Sequence, residues 1–350
     1  MIRKLRAGMM PPAGSKRPDA ATIEGLTSSL EARMDELASV NPNPGYRPFQ
    51  RLNRAEYAVA IKDLLGIDVD VSAFLPADTI SNGFDNVADS QGFSATLMEG
   101  YLRAAGRITQ LALGDPNSSP TEATYKVPRT QSQMVHIDGA PMGTRGGISV
   151  VHVFPADGEY SFRVMLHSIP TGELYGSAAR GEQIEISVNG VRQAVLDIKP
   201  SMSERDPNGM NLTSPKVFVK AGPQRVSAAF ISRFDAPVDD ILAPQDYTLA
   251  DSQIGSGVGV TTLPHVRDFA ISGPFSVTGV SDTVSRRKIF TCRPTAAADE
   301  AACAQAIVKG LATKAFRRAP SDREVTRLMK FYDGGRQGQT FKRGVTKAVE

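Results

Sequence analysis

The spacing of apolar residues changes twice along this chain of 350 residues, and these changes constrain the fold more than any single motif. Within residues 19–39, Ile23, Leu26, Leu30, Met34 and Leu37 recur every three or four positions, which predicts an amphipathic helix. Helical spacing continues in residues 54–65 and from about residue 94 to residue 113. It is then lost until about residue 285, after which it returns.

Between the helical segments, apolar and polar residues alternate with period two, which is typical of strands with one buried face. The sequence Asn189-Gly190 is a strong hairpin signal, because a tight type I′ turn needs positive φ at both central positions. Several short strands separated by turn residues indicate a β-sandwich. The predicted strand segments are 148–154, 159–167, 183–198, 216–221, 224–234 and 268–279.

We therefore predict an α+β multidomain protein, with small helical modules flanking an antiparallel, jelly-roll-like β-sandwich. The Pro-rich stretch NPNPGYRP ends the first helix and serves as a linker. The predicted units are residues 1–40, 46–115, 120–285 and 286–350.

Charge is distributed unevenly along the chain. Residues 1–18 contain five Lys or Arg and no acid, and residues 286–350 contain fifteen against six acids. Solvated helix faces would explain the basic C-terminal segment, and a polyanion-binding patch is the alternative. No nucleic-acid-binding signature accompanies these charges, so we expect no nucleic-acid partner. No apolar run approaches the roughly 18 residues that would indicate a membrane span.

The sequence offers no signature of a catalytic site. The four histidines, His136, His152, His167 and His265, are scattered, and two of them fall within predicted strands. The nucleophile elbow, phosphate-binding loop, zinc-protease and dinucleotide-binding motifs are all absent from the sequence. We therefore assign no catalytic residue and lean towards a non-enzymatic role for this chain.

The series RLNRAEY, DLLG, LPAD and GFDN is similar to domain of unknown function 1587, a helical domain of large planctomycete-type proteins that are linked to cytochrome c. The segment from IFTCRP to RRAPSDREVTRLMKFYDGGRQG resembles the start of domain of unknown function 1595. Between them, GTRGG, FPADGEYSF and SRRKIF fit a sandwich similar to a carbohydrate-binding module.

The resemblance implies that residues 1–40 are the tail of a cytochrome c-like domain. Met10, directly before Pro11-Pro12, would then be a haem axial ligand, provided that the upstream domain is present, and Met9 is the lesser candidate. The chain contains no Cys-x-x-Cys-His, so it cannot attach haem covalently. We expect this chain to be a fragment truncated at both ends. Its full-length parent protein would contain haem c and would be periplasmic or extracellular. The first residues lack the apolar stretch of a signal peptide.

The two cysteines, Cys292 and Cys303, form either a disulfide or two separate thiols. They are too few for a Cys-rich zinc site. Covalent haem maturation in the parent would imply an extracytoplasmic location where disulfides persist, so the resemblance favours the bridge.

In the predicted sandwich, sugar binding would use aromatic faces and hydrogen-bonding polar groups. Tyr175 and Tyr247, in long loops near Asp239 and Asp240, are the candidates. Calcium is a candidate cofactor, held by loop aspartates here or by the acidic loop 68–89, although Asx turns explain most residues of that loop.

We therefore expect a non-catalytic accessory region whose sandwich binds a polysaccharide or another surface partner. One alternative is that the parent is a redox enzyme acting on polysaccharide, with electrons passing through its cytochrome domain to a partner that the sequence does not identify. A structural scaffold is the other alternative.

Overall fold

A computed structural model describes residues 1–40, 42, 45, 50–177, 180–232 and 263–350. The chain forms two compact units. The first contains Met1–Arg51 and Thr79–Gly92, and the second contains Leu52–Asp78 and Phe93–Glu350. Helices and two antiparallel sheets together confirm the predicted α+β class with a sandwich-like β region.

The first unit contains helices α1 (Ile2–Arg6) and α2 (Ala20–Val40). Arg6 joins them by ion pairs to Glu31 at 2.6 Å and to Glu24 at 3.4 Å. The predicted helix is present, but Leu26, Met34 and Leu37 on its apolar stripe are 49, 62 and 57% exposed. Periodicity therefore identified the helix without identifying a buried face.

The second unit has a helical part formed from both ends of its sequence. Before the sandwich come α3 (Arg54–Leu65) and α4 (Ala95–Leu113). After it come α5 (Val284–Ile289), α6 (Glu300–Phe316), α7 (Asp322–Arg336) and α8 (Phe341–Val349). Capping boxes begin two of these helices, Asn53 with Glu56 at α3 and Ser321 with Glu324 at α7. None of the described helices is long and apolar enough to cross a membrane.

One apolar core joins these helices. Its buried members before the sandwich are Leu65, Ile67, Ala104, Ile108, Ala112 and Leu113, and those after it are Ile289, Phe290, Cys303, Ala304, Ile307, Tyr332 and Val345. Segments 46–115 and 286–350 are predicted from the sequence as separate units, and apolar residues of both are buried in one core. We name this assembly the helical body.

The sandwich consists of two antiparallel sheets. The six-stranded sheet has β1 (Thr121–Lys126), β9 (Val266–Gly273) and β3 (Asp157–Leu166) in that order. Short strands β6 (Asn211–Thr213), β7 (Val217–Val219) and β10 (Val277–Gly279) also pair with β3. The second sheet has the order β2 (Thr144–Phe154), β8 (Gly222–Ile231), β4 (Gln183–Val188) and β5 (Val191–Asp197). Asn189 and Gly190 turn the chain between β4 and β5 with φ of 51° and 78°.

Inward-facing residues of both sheets form the core of the sandwich, in which Phe154, Tyr160, Phe162, Phe230 and Phe269 are almost completely buried. Because the sandwich strands run from Thr121 to Gly279, the sandwich is inserted between α4 and α5 of the helical body. The chain enters and leaves the sandwich at neighbouring points, because Arg286 of α5 donates a hydrogen bond to the carbonyl of Leu113 in α4. Adjacent entry and exit points are what domain insertion requires.

A disulfide joins Cys292 and Cys303, with Cα atoms 5.9 Å apart. The resemblance given above predicts this bridge in place of two separate thiols. It ties the segment after α5 to the first turn of α6, next to the core of the helical body.

The GTRGG motif contains a glycine whose position tolerates no side chain. Gly147 lies at an irregularity in the pairing of β2 with β8 and has φ of 76°. A Cβ at this residue would lie 1.9 Å from the carbonyl oxygen of Ala228. Gly143 in the same motif has φ of 81°, but a Cβ there would meet no atom within 4 Å.

These two glycines give a matched stability test. Gly143→Ala should lower the free energy of unfolding by about 1–2 kcal/mol, the cost of a left-handed backbone. Gly147→Ala should lower it by about 2–5 kcal/mol, because overpacking against Ala228 adds to that cost. Denaturant unfolding measures both values, and equal losses would contradict the close approach of β2 and β8.

Candidate functional site

The outer face of the six-stranded sheet is a polar surface. On β3, Tyr160, Phe162 and Val164 face the core, so the intervening residues face outward. Directly opposed residues of antiparallel strands point to the same side. The outward surface therefore combines residues of β1, β9 and β3: Glu122, Thr124, Lys126, Glu159, Ser161, Arg163, Asp268 and Ser272.

Arg163 lies at the centre of this surface and links its own strand, β3, to β6, β1 and β9. Its guanidinium donates to Asn211 Oδ1 at 2.9 Å and to Glu122 Oε1 at 2.9 Å, and it lies 3.5 Å from Asp268 Oδ1. These contacts fix the orientation of a side chain that is 27% exposed. The surface thus presents guanidinium, carboxylate and amide groups in defined positions.

Glu122 is held at one edge of this network. Its other carboxylate oxygen accepts a hydrogen bond from Ser272 Oγ at 2.9 Å. Hydrogen bonds from Ser272 and Arg163 lower the pKa of this carboxyl below its ordinary value. The carboxylate therefore stays ionised at neutral pH and accepts hydrogen bonds.

Two exposed aromatic rings lie at the other end of the surface. Phe218 on β7 is 54% exposed and pairs with Glu159 of β3, and Phe275 is 40% exposed in the turn after β9. The amide of Phe275 donates to the carbonyl of Glu159 at 2.8 Å, and Ser276 Oγ donates to the Glu159 carboxylate at 3.1 Å. Lys216 Nζ lies 4.7 Å from the centre of the Phe275 ring. We call Phe218, Phe275, Glu159, Ser276 and Lys216 the aromatic patch.

The aromatic patch combines exposed rings with ordered polar groups, as sugar-binding surfaces do. An exposed ring can cover the apolar face of a pyranose, and adjacent polar groups can exchange hydrogen bonds with its hydroxyls. Sequence reasoning missed these residues. The available signal was the alternation in Val217-Phe218-Val219, where the middle residue must face away from the core.

The sequence-predicted sugar ligands are not brought together by the described structure. Tyr175 is only 5% exposed and packs edge-on against His265, with ring centres 5.1 Å apart. Its ring is therefore not an exposed platform for sugar, which corrects the expectation for this residue. Tyr247, Asp239 and Asp240 lie outside the described residues.

The aspartates of the acidic loop make structural contacts. Asp70 accepts from the Ser72 amide at 2.9 Å, Asp78 accepts from the Arg54 amide at 2.7 Å, and Asp68 pairs with Lys62 at 2.9 Å. Within the described parts of the chain, no group of three or more His, Cys, Asp or Glu side chains could hold a metal ion. A calcium site stays a prediction.

Met10 lies in the segment between α1 and α2 and is 36% exposed. Both cysteines of the chain are joined in the disulfide, and Cys-x-x-Cys-His does not occur in the sequence. The residues of this chain therefore do not fit covalent haem attachment.

Two histidines of the sandwich lie in environments that disfavour their charged form. Burial, with a smaller effect of Arg107, lowers the pKa of His152 to about 4. Burial, with smaller effects of Arg129, His265 and Arg267, lowers the pKa of His167 to about 4. His152 Nδ1 also lies 2.7 Å from the hydroxyl of Tyr125, so it is packed within the sandwich.

Comparisons with known proteins match the helical segments to two families. Residues 50–114 match the family described as a protein of unknown function, DUF1587, and residues 303–350 match the one described as a protein of unknown function, DUF1595. These matches confirm both domains of unknown function named from the sequence. No protein with a curated description matches the chain.

Solved structures similar to this chain include carbohydrate-binding modules. A CBM35 from Cellvibrio japonicus Abf62 is 12% identical, with 46% of this chain and 99% of that chain covered and a TM-score of 0.22. A family 35 carbohydrate binding module from Clostridium thermocellum is 13% identical, with 46% and 100% covered and a TM-score of 0.20. The EclA C-terminal domain, a sugar-binding protein, is 12% identical, with 56% and 96% covered and a TM-score of 0.18.

Two partly buried histidines, His152 and His167, predict how stability depends on pH. In the unfolded chain a histidine binds a proton near pH 6.5, whereas His152 and His167 stay neutral in the folded protein down to about pH 4. The unfolded state therefore binds more protons between these values, and the free energy of unfolding should fall as the pH is lowered from about 6.5 to about 4. The variant His152→Gln/His167→Gln should show a shallower fall in denaturant titrations. An unchanged slope in this variant would contradict the burial of both rings.

Proposed function

We propose that this chain is a non-catalytic binding region whose sandwich holds a polysaccharide on the aromatic patch. The observation that carries the proposal is the pair of exposed rings, Phe218 and Phe275, on either side of the ordered Glu159 carboxylate. Exposed aromatic rings cost solvation free energy unless a ligand or partner covers them, and their combination with fixed polar groups suits sugar.

The ordered network around Arg163 supports the same role. Arg163 is bonded to Asn211 and Glu122, so its side chain loses little freedom when a ligand binds nearby. A surface of this type binds without altering covalent bonds, because it presents no activated nucleophile or acid–base pair. The position of the patch on a sheet, rather than on a long loop, favours a preformed surface.

The disulfide supports export of the parent. Disulfides persist in oxidising compartments, and Cys292–Cys303 closes a short loop at the edge of the helical body. We propose a periplasmic or extracellular location on this ground. A polysaccharide ligand would be available in either compartment.

We propose that haem is carried by a longer parent protein, of which this chain would be one part. Because the chain's own residues do not fit covalent attachment, an upstream cytochrome c-like domain would carry the haem, with Met10 as its axial ligand. The exposed stripe of α2, with Leu26, Met34 and Leu37, supports an additional partner in the first unit. In one alternative proposal, the longer protein is a redox enzyme that passes electrons through its cytochrome domain to a reaction on polysaccharide. In the other, it is a structural scaffold.

The test is binding of the 350-residue chain to a panel of neutral polysaccharides by affinity electrophoresis. Phe218→Ala/Phe275→Ala should weaken binding about tenfold or more, because truncating both rings removes the apolar platform. Phe316→Ala is the matched control, since Phe316 is 43% exposed at the end of α6, in the helical body. Its affinity should equal that of the wild type.

Two results would contradict the proposal. One is binding by the double variant as tight as by the wild type, which would place the sugar elsewhere. The other is an equal loss in Phe316→Ala, which would show nonspecific apolar adhesion. Thermal unfolding of each variant establishes that the fold is retained.

A further inference from the structure

A second site lies where the sandwich joins the helical body. A cleft of about 1130 Å³ is formed by the C-terminal end of α4, the residues that follow α4 and β10, and helices α5, α7 and α8. We call it the junction cleft. It is separate from the aromatic patch, since none of the residues of the patch lines it.

Positive charge dominates the lining of the junction cleft. Arg286, Lys330, Lys342 and Arg343 line it, and the ion pairs among the described residues include none of these four. Lys347 also lines it but is paired with Glu350. Asp115 is the one acidic residue among the described lining residues. The cleft therefore carries an excess of cations without carboxylate partners.

Nearby acids do not balance this charge. An adjoining pocket contains Asp282 and Glu300. Asp282 is paired with Arg293, and Glu300 accepts a hydrogen bond from Arg336 at 2.8 Å. Both carboxylates thus form their ion pairs with cations other than the four in question, although the charge of Asp282 also acts on Arg286.

Arg286 is the most constrained of these cations. It is only 9% exposed, its guanidinium lies 5.3 Å from the centre of the Phe290 ring, and it donates to the carbonyl of Leu113. Burial lowers the pKa of Arg286 by more than the charges of Asp282 and Asp157 raise it, which shows that the environment disfavours the charged form. An anion bound beside this guanidinium would offset the remaining cost of burying its charge.

The other lining residues indicate what kind of molecule would bear the anionic group. Phe331 is 60% exposed and Gln110, Asn117 and Thr346 add hydrogen-bonding groups, so the cleft suits a ring-containing ligand and not only a free ion. The Cys292–Cys303 bridge indicates an oxidising compartment, outside the cytoplasm where nucleic acids are concentrated. A polyanion built on sugar rings meets both conditions.

We propose that the junction cleft binds an acidic oligosaccharide, one that bears carboxylate or sulfate groups. This inference does not depend on the aromatic patch, which has no excess of cations. It also agrees with a polyanion-binding patch, the alternative to solvated helix faces for the basic C-terminal segment.

Binding is measured by isothermal titration calorimetry of the 350-residue chain, at low and at physiological salt. The probes are oligogalacturonate, which carries carboxylates, dextran sulfate oligosaccharides, and neutral dextran oligosaccharides of equal length. At least one charged probe should bind, with affinity that falls as salt rises, and neutral dextran should bind at least tenfold more weakly. The two charged probes distinguish carboxylate from sulfate as the recognised group.

Lys330→Glu/Lys342→Glu tests the location. It should weaken binding of the charged probe at least tenfold, because both side chains line the cleft. Lys309→Glu/Lys314→Glu is the matched control, since it makes the same change of net charge on exposed positions of α6. The control should retain affinity within about twofold.

A third variant blocks the cleft without changing charge. Gly334 lines the cleft within α7, and a Cβ there would meet no atom within 4 Å, so Gly334→Phe places a ring in the cleft space. It should also weaken binding at least tenfold, with the unfolding temperature retained.

Several outcomes would overturn the inference. They are no binding of either charged probe, equal loss in the two charge-reversal variants, and tighter binding of a single-stranded oligonucleotide than of both charged glycans. If Phe218→Ala/Phe275→Ala weakens binding of the charged probe while the junction-cleft variants do not, the probe binds at the aromatic patch instead. In that case the proposed function would stand while the junction cleft would not.

Discussion

The architecture of the second unit depends on one apolar core that two distant parts of the chain build together. Ile108 and Leu113 of α4 are buried in the same cluster as Ile289, Ile307 and Val345. Neither set alone would form a closed core, because each helix has only one apolar face. The sandwich must therefore leave and rejoin the helical body at neighbouring points, and the bond from Arg286 to Leu113 marks where it does so.

This constraint also places the two sites. The junction cleft forms at the crossing point, where the end of α4 and the start of α5 meet helices α7 and α8. Its five cations all come from residues 286–350, the basic segment after the sandwich, which contains fifteen Lys and Arg residues. The aromatic patch is built instead on the outer face of β3 and β7, where the sandwich alone fixes the geometry. In our two proposals, the aromatic patch would bind a polysaccharide by ring contacts and the junction cleft would bind an acidic glycan by charge.

Local signals in the sequence predicted much of the fold. The turn at Asn189-Gly190 and the alternation of β3 both depend on neighbours within a few positions, and both are present. The disulfide was favoured only through the resemblance to exported proteins. The shared core could not be predicted, because periodicity identifies an apolar face and not the face that covers it.

The candidate sites show the same limit. Tyr175 was chosen for its place in a long loop, yet the loop folds the ring against His265. Phe218 was overlooked, although its alternation with two valines indicated an outward side chain. The Arg163 network joins residues of β1, β3, β6 and β9, and only the pairing of those strands brings them together.

The shared core of the helical body is tested most directly by hydrogen exchange on Ile108→Ala. Removing this buried side chain should cost about 2–5 kcal/mol. If the core is shared, amides in α6 (Glu300–Phe316) should lose protection together with those of α4, while amides of β3 retain theirs. Loss confined to α4, with α6 unchanged, would show that the two helical segments are separate modules and would contradict the account.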